Sequence, residues 1–168
     1  MAQIAMISHA VTAIVIAASA QTIFVDDELT SIVVRGVGAD RVVEPSRPLV
    51  LDSASISRRL GGILASPPDY ARLEPVDGVR ATAAPLSDFV TCEDPRRYYD
   101  CQPIRAAVFV TVDSARQSGD TVRIGATRLV IQPGADARRR IDVIRAVMTV
   151  LREGTGWRVL HPLYIRTG

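Results

Sequence analysis

The residues that could bind or transform a small molecule lie near the C-terminal end of the chain. Trp157 and His161 are four residues apart in the stretch WRVLH, in which Trp157, Val159 and His161 alternate with other residues. In an extended strand such residues share one face, where an indole can stack on a ligand and an imidazole can hydrogen-bond to it. Trp157 and His161 are therefore the candidate ligand-binding residues. A single histidine on an apolar face is also compatible with a satisfied core residue.

A catalytic role for His161 would need a second group beside the imidazole. Proton transfer requires a base and an orienting carboxylate within hydrogen-bond reach, and Asp113 or Asp142 could supply the carboxylate. The sequence contains no G-x-S-x-G, H-E-x-x-H or G-x-G-x-x-G motif. We therefore expect a ligand-binding or partner-binding module with no assigned catalytic residue, and an isomerase or hydrolase that uses His161 is the alternative.

Two residue types are absent from the chain, and their absence excludes several chemistries. All 20 basic residues are arginine, and there is neither lysine nor asparagine. Schiff-base catalysis and P-loop phosphate binding need a lysine, whereas the kinase catalytic loop and N-glycosylation need an asparagine. No motif indicates a cofactor or a metal site, so we expect none.

Cys92 and Cys101 enclose the polar segment EDPRRYYD. A C-x8-C spacing lacks the short chelating turn of zinc sites, and beyond residue 20 the sequence offers only His161 as a nitrogen ligand. In an oxidising compartment the two cysteines would pair, so we expect a Cys92–Cys101 disulfide. In a reducing compartment they would remain free thiols.

Residues 1–20 carry no charged side chain and have the features of a signal peptide. An apolar stretch at residues 10–18 ends in small residues that signal peptidase accepts, so we expect cleavage between Ala20 and Gln21. The segment lacks the usual N-terminal Lys or Arg, and helical spacing of its apolar residues leaves a retained helix as the alternative. Polar residues interrupt the run, which disfavours a membrane anchor. The expected product is an exported domain of residues 21–168, periplasmic or secreted, with no stable membrane span.

For the first part of this domain, the sequence predicts little regular structure. Acidic residues from Asp26 and a stop at Gly36 predict a short helix. Residues 49–51 predict a short strand. Residues 53–91 contain four prolines and little periodicity, so they predict mostly irregular structure with a helical turn near residues 57–64.

From residue 104 onward the sequence indicates antiparallel strands. Alternating valines at residues 108–112, a Ser-Gly-Asp turn and Val122 and Ile124 predict a hairpin. After Ile124 the apolar residues move from even to odd positions, which predicts a β-bulge near Gly125 and a curved sheet.

The remaining residues leave one ambiguity. Residues 136–152 fit both helical and strand patterns, and their β-branched residues favour a central strand. A tight turn at Gly154-Thr155-Gly156 leads into the last strand, which Pro162 places at a sheet edge or breaks after His161.

The V-x-V-x-V stretch, the G-D turn and the R-E-G-x-G-W-R-V hairpin lie within residues 90–166. This pattern resembles exported bacterial proteins of uncharacterised function whose C-terminal sheets look like those of NTF2-like and cystatin-like folds. The resemblance implies an α+β fold in which N-terminal helices precede a curved antiparallel sheet of about four strands. NTF2-like domains often enclose a small-molecule pocket, and some are isomerases or dehydratases that use Asp and His. No catalytic residue can be carried over by position.

The charge distribution does not decide whether the partner is a small molecule or an envelope protein. The net charge is only +2, yet residues 137–168 hold seven arginines and two acidic residues. A basic surface could contact an anionic partner or could simply be solvated. The arginine run at residues 138–140 could contact phosphates, but few aromatic residues are present for stacking, and export would separate the protein from the genome. We expect a small molecule or an envelope protein as partner, and no nucleic acid.

Overall fold

The computed structural model describes residues 22–24, 28–64, 80–94, 97–134 and 141–167. The predicted leader at residues 1–20 and the arginine run at residues 138–140 lie outside these ranges. Described elements follow the order β1 (Thr22–Phe24), α1 (Glu28–Gly36), a 3-10 helix (Ala39–Arg41), β2 (Leu49–Leu51), α2 (Ser53–Leu64), β3 (Arg80–Ala83), a 3-10 helix (Leu86–Asp88), β4 (Val90–Thr91), a 3-10 helix (Tyr98–Asp100), β5 (Gln102–Pro103), β6 (Ala107–Ser118), β7 (Thr121–Ile131), β8 (Ile141–Glu153) and β9 (Gly156–Thr167).

Among the described residues, seven strands form one mixed sheet in the order β1-β3-β2-β6-β7-β8-β9. The predicted antiparallel sheet of about four strands is therefore wrong. Strands β6 to β9 are antiparallel, but β2 runs parallel to both β3 and β6. The parallel pairing of β2 with β3 follows from α2, which lies between them in the chain. A chain that crosses back through a helix enters the next strand in the same direction. The strand predicted at residues 49–51 is confirmed as β2, but a strand of three residues shows too little alternation to reveal its neighbours or its direction.

Helix α2 contains the helical turn predicted near residues 57–64 but is longer than expected, since it begins at Ser53 in a segment predicted to be mostly irregular. Asp52 caps its first turn, since the backbone N–H of Ser55 donates to Asp52 Oδ1 at 3.1 Å. The hydroxyl of Ser55 accepts from the backbone N–H of Val112 at 3.0 Å. The start of α2 thus provides an acceptor for a backbone N–H of β6 that lies just beyond the end of β2. Ile56 and Leu60 on this helix are buried against the sheet.

The sheet has a separate hydrophobic core on each face. The helix-side core joins α1 and α2 to the sheet through residues that include Leu29, Val33, Leu60, Val110, Ile124 and Met148. The loop-side core joins the segment that carries β4 and β5 to the other face, through residues that include Phe89, Val90, Cys101, Phe109, Leu129 and Ile131. Strands β7 and β8 therefore bury opposite faces at different points along their length, whereas β6 buries both faces over residues 107–112.

These two cores explain the change of apolar positions along β7. Pairing of β7 with β8 is continuous from Thr121 opposite Leu151 to Ile131 opposite Ile141, so β7 has no bulge in that ladder. The register shift lies on β6 between Val112 and Ser114, where Asp113 is the extra residue facing the Gly125 region. The predicted bulge was placed near the correct level of the sheet but on the wrong strand, because even and odd residues of β7 pack into different cores.

Strand β8 confirms the strand interpretation over residues 141–153. It is central, and it contributes Val143 to the loop-side core and Met148 to the helix-side core. The helix prediction near Asp26 to Gly36 is confirmed by α1, and β9 lies at the sheet edge, as Pro162 predicted.

The predicted disulfide is confirmed, since the sulfur atoms of Cys92 and Cys101 are bonded. Cys101 is buried in the loop-side core, and Cys92 and Tyr98 pack against it. The disulfide therefore closes the loop that covers this face of the sheet.

Replacement of both cysteines by serine should lower the free energy of unfolding. Closure of a ring of this length restricts the unfolded chain and contributes about 2.7 kcal/mol. Urea denaturation of the Cys92→Ser/Cys101→Ser variant measures the loss, and reduced wild-type protein serves as the matched control. Equal stability of the oxidised wild type and the variant would show that the loop covers the core without help from the bond.

Candidate functional site

A pocket opens between the C-terminal end of α1 and strands β7, β8 and β9. Its volume is about 440 Å³. Three arginines line it, and we call it the arginine pocket: Arg35 from the last turn of α1, Arg41 from the 3-10 helix that follows, and Arg128 from β7. None of the described residues in its lining is acidic.

Arg128 lies on the helix-side face of β7, where Val122, Ile124 and Ala126 at the preceding even positions are core residues. The residue is 8% exposed, so its positive charge needs a compensating contact. Its Nη1 donates to the backbone carbonyl of Gly38 at 2.7 Å. The side chain is thereby fixed at the base of the pocket, between the sheet and the end of α1.

Glycine at position 38 leaves room for this contact and suits the local backbone. Its φ is 63°, a left-handed conformation that glycine adopts without strain. A Cβ atom at this position would lie 3.1 Å from Arg128 Nη1 and would crowd the guanidinium. The carbonyl groups at a helix C-terminus carry partial negative charge, so Arg128 and Arg35 also stabilise this end of α1.

The rest of the pocket is apolar or aromatic. Val37 is buried, and Val42 and Ile144 are half-buried in the lining. Tyr164 from β9 lines the outer part of the pocket and is 55% exposed. The arginine pocket therefore combines positive charge with an apolar wall.

Of the two predicted ligand-binding residues, only Trp157 has a described side chain, and it is not in this lining. Trp157 is 8% exposed and belongs to the helix-side core, with the Arg152 guanidinium 6.0 Å from its ring centroid. His161 pairs with Thr149 of β8, and a register shift next to Val159 interrupts the strict alternation from Trp157 to His161. The His161 side chain lies outside what the structure describes, so a ligand role for this pair stays a prediction.

The backbone positions do not bring His161 together with either predicted carboxylate. Asp113 lies on β6, three strand spacings from β9, which corresponds to about 14 Å. Asp142 pairs with Val130 at the opposite end of β8 from Thr149, the partner of His161.

The arginine pocket was missed in the sequence, although one signal for it was present. Arg128 shares the even positions of Val122, Ile124 and Ala126, so alternation alone places an arginine on the buried face of a strand. A charged residue at such a position indicates a specific partner or a site. One partner of Arg128, Gly38, follows the predicted stop of α1, but its distance of 90 residues along the chain hides the contact.

Comparison of the chain with known protein families, curated proteins and solved structures gives no match. The resemblance to NTF2-like and cystatin-like proteins therefore stays a prediction. In the ranges that the structure describes, no helix is long and apolar enough to cross a bilayer. Over the same residues, no group of three or more His, Cys, Asp or Glu side chains is arranged to hold a metal ion.

A second polar cluster surrounds Asp113 at the bulge on β6. Asp113 is exposed as a residue, but its Oδ2 accepts a hydrogen bond of 2.7 Å from the hydroxyl of buried Thr127. Desolvation raises the pKa of the Asp113 carboxyl, and Thr127, Arg145 and Arg59 oppose the rise only in part. Burial also raises the pKa of the Tyr98 hydroxyl, and the charge of Asp113 adds to the effect. The described contacts give this cluster a structural role.

The free energy of unfolding should depend on pH through Asp113. Its pKa in the folded protein lies above the unfolded value of about 3.9. Between these two values the folded state binds more protons than the unfolded chain, so stability falls as pH rises through that window. Asp113→Asn removes this loss of stability, because asparagine does not ionise. Its amide oxygen can still accept the hydrogen bond from the Thr127 hydroxyl. The variant should be more stable than wild type at pH 7, with a gain that shrinks toward pH 4.

Urea denaturation at several pH values measures the effect of Asp113→Asn. Asp88→Asn is the matched control, because Asp88 is an exposed acid in a 3-10 helix away from the bulge. A variant that is less stable than wild type at pH 7 but not at pH 4 would contradict the account, since the charged carboxylate would then stabilise the fold.

Proposed function

We propose that this protein is a ligand-binding module whose arginine pocket accepts an anionic group. The observation that carries the proposal is the convergence of Arg35, Arg41 and Arg128 on one concavity whose described lining holds no acid. Guanidinium groups bind carboxylates and phosphates through paired hydrogen bonds. Small-molecule sites are typically concave and mostly apolar, with a few convergent polar groups, which is the composition of this pocket.

A purely structural role explains part of the arginine cluster. Arg128 satisfies the Gly38 carbonyl, and Arg35 lies in the last turn of α1, where a positive charge is favourable. Arg41 is different, because it is exposed and forms no ion pair within the described ranges. Its position in the lining adds a positive charge to the pocket. Stabilisation of the C-terminal end of α1 does not account for this third charge.

Export is the second part of the proposal. The Cys92–Cys101 disulfide supports an oxidising compartment, where such bonds form and persist. Together with the predicted leader, it favours a periplasmic or secreted module that binds a small molecule or the acidic group of an envelope protein. The isomerase or hydrolase alternative stays a prediction, since it depends on the His161 side chain.

Charge reversal at Arg41 should weaken the binding of an anionic probe. We expect benzoate to bind the wild type more tightly than benzamide, its neutral analogue, in isothermal titration calorimetry. Arg41→Glu should weaken benzoate binding about tenfold, because it removes one attraction and adds one repulsion, each worth up to about 1 kcal/mol at an exposed site. Benzamide binding should not change.

Arg123→Glu is the matched control for this experiment. Arg123 is exposed on β7 and pairs with Arg116 on β6, so it undergoes the same charge reversal outside the pocket lining. Its benzoate affinity should stay close to that of the wild type. Equal losses in the two variants, or equal binding of benzoate and benzamide to the wild type, would contradict an anion site at the arginine pocket.

A further inference from the structure

The apolar wall of the arginine pocket indicates which class of anion it takes, an inference that rests on the proposed function. We propose that the ligand is an organic acid with one anionic head group and an extended apolar body. In this arrangement the head group lies at Arg128, and the body lies along Val42, Ile144 and Tyr164. Free inorganic anions and acids without an apolar body are then poor ligands.

The three arginines are not equivalent, and their burial favours a single head group. Arg128 is 8% exposed, whereas Arg35 and Arg41 are exposed at the rim. An anion beside Arg128 would be shielded from water and salt, while charges at the rim are screened. The pocket therefore offers one strong position for negative charge, and the rim arginines add weaker attraction.

The volume of the pocket exceeds the needs of a small anion. At about 440 Å³ the pocket lies in the range of small-molecule sites. A bare anion at Arg128 would leave water against Val37, Val42 and Ile144. An alkyl or aromatic body would displace that water, and each fully buried methylene would tighten binding about fourfold.

The order of the strands gives the apolar body a direction. Arg128 on β7 pairs directly with Ile144 on β8. Tyr164 on the edge strand β9 pairs with Ala146, which lies on the same face of β8 as Ile144. From Arg128 the lining thus runs across two strand spacings, about 10 Å, from a buried cation to an exposed aromatic ring. Val37 and Val42 line the same pocket from the segment that follows α1.

A series of straight-chain carboxylates tests this inference. Calorimetry on the wild type would compare acetate, butanoate and octanoate with octan-1-ol, which has the same chain and no charge. We expect octanoate to bind at least about tenfold more tightly than butanoate, because several of its additional methylenes contact the wall. Acetate should bind most weakly of the acids, and octan-1-ol should bind more weakly than octanoate.

A wall variant tests the position of the chain. Val42→Thr replaces a methyl group by a hydroxyl at nearly constant size, so it should weaken octanoate binding and leave butanoate binding nearly unchanged. Val159→Thr is the matched control, because Val159 is exposed on β9 and is not in the pocket lining. Equal effects of the two substitutions on octanoate would overturn the proposed placement.

The remaining outcomes separate this inference from the proposed function. Equal affinity for butanoate and octanoate, with weaker binding of octan-1-ol, would overturn the apolar body while the anion site stands. Failure of octanoate to bind a protein that binds benzoate would have the same meaning. Binding of octan-1-ol as tight as that of octanoate would overturn both proposals, since charge would then contribute nothing.

Discussion

The contact between the Arg128 guanidinium and the Gly38 carbonyl is the interaction on which the arginine pocket depends. It holds a charged side chain in a buried position and at the same time satisfies the end of α1. A Cβ atom at Gly38 would crowd the guanidinium at 3.1 Å, and the left-handed backbone at this position favours glycine. The pocket is thus a consequence of how one helix ends above one strand.

The two-faced sheet makes that arrangement possible. Helices cover one face, and the disulfide-closed segment covers the other, so β7 and β8 are buried on opposite faces at different points. On β7, Arg128 follows the last even core residue, Ala126, and is succeeded by Leu129 and Ile131 of the loop-side core. A buried charge is tolerated at this point because the helix-side cover ends there, leaving a concavity instead of a packed core.

The sequence predicted the local elements better than their assembly. Alternating valines and β-branched residues identified the strands around Val110 and Met148. The disulfide was predicted from two cysteines whose spacing does not suit zinc and from the expected oxidising compartment. Parallel pairing of β2 escaped detection, because a strand of three residues carries no readable period and its position depends on contacts with distant strands. The candidate site was missed for the same reason, since Arg128 and Gly38 meet only in three dimensions. The ligand role assigned to Trp157 and His161 rested on strict alternation, which the shift beside Val159 interrupts.

The central claim is that Arg128 forms the base of an anion-binding pocket while bonded to Gly38. A crystal structure of the protein with benzoate would test it most directly. The account predicts a carboxylate beside the Arg128 guanidinium, with Nη1 still within hydrogen-bond distance of the Gly38 carbonyl and the ring against Ile144. An Arg128 side chain turned away from Gly38 into solvent, or benzoate bound elsewhere with only water between α1 and β7, would contradict it.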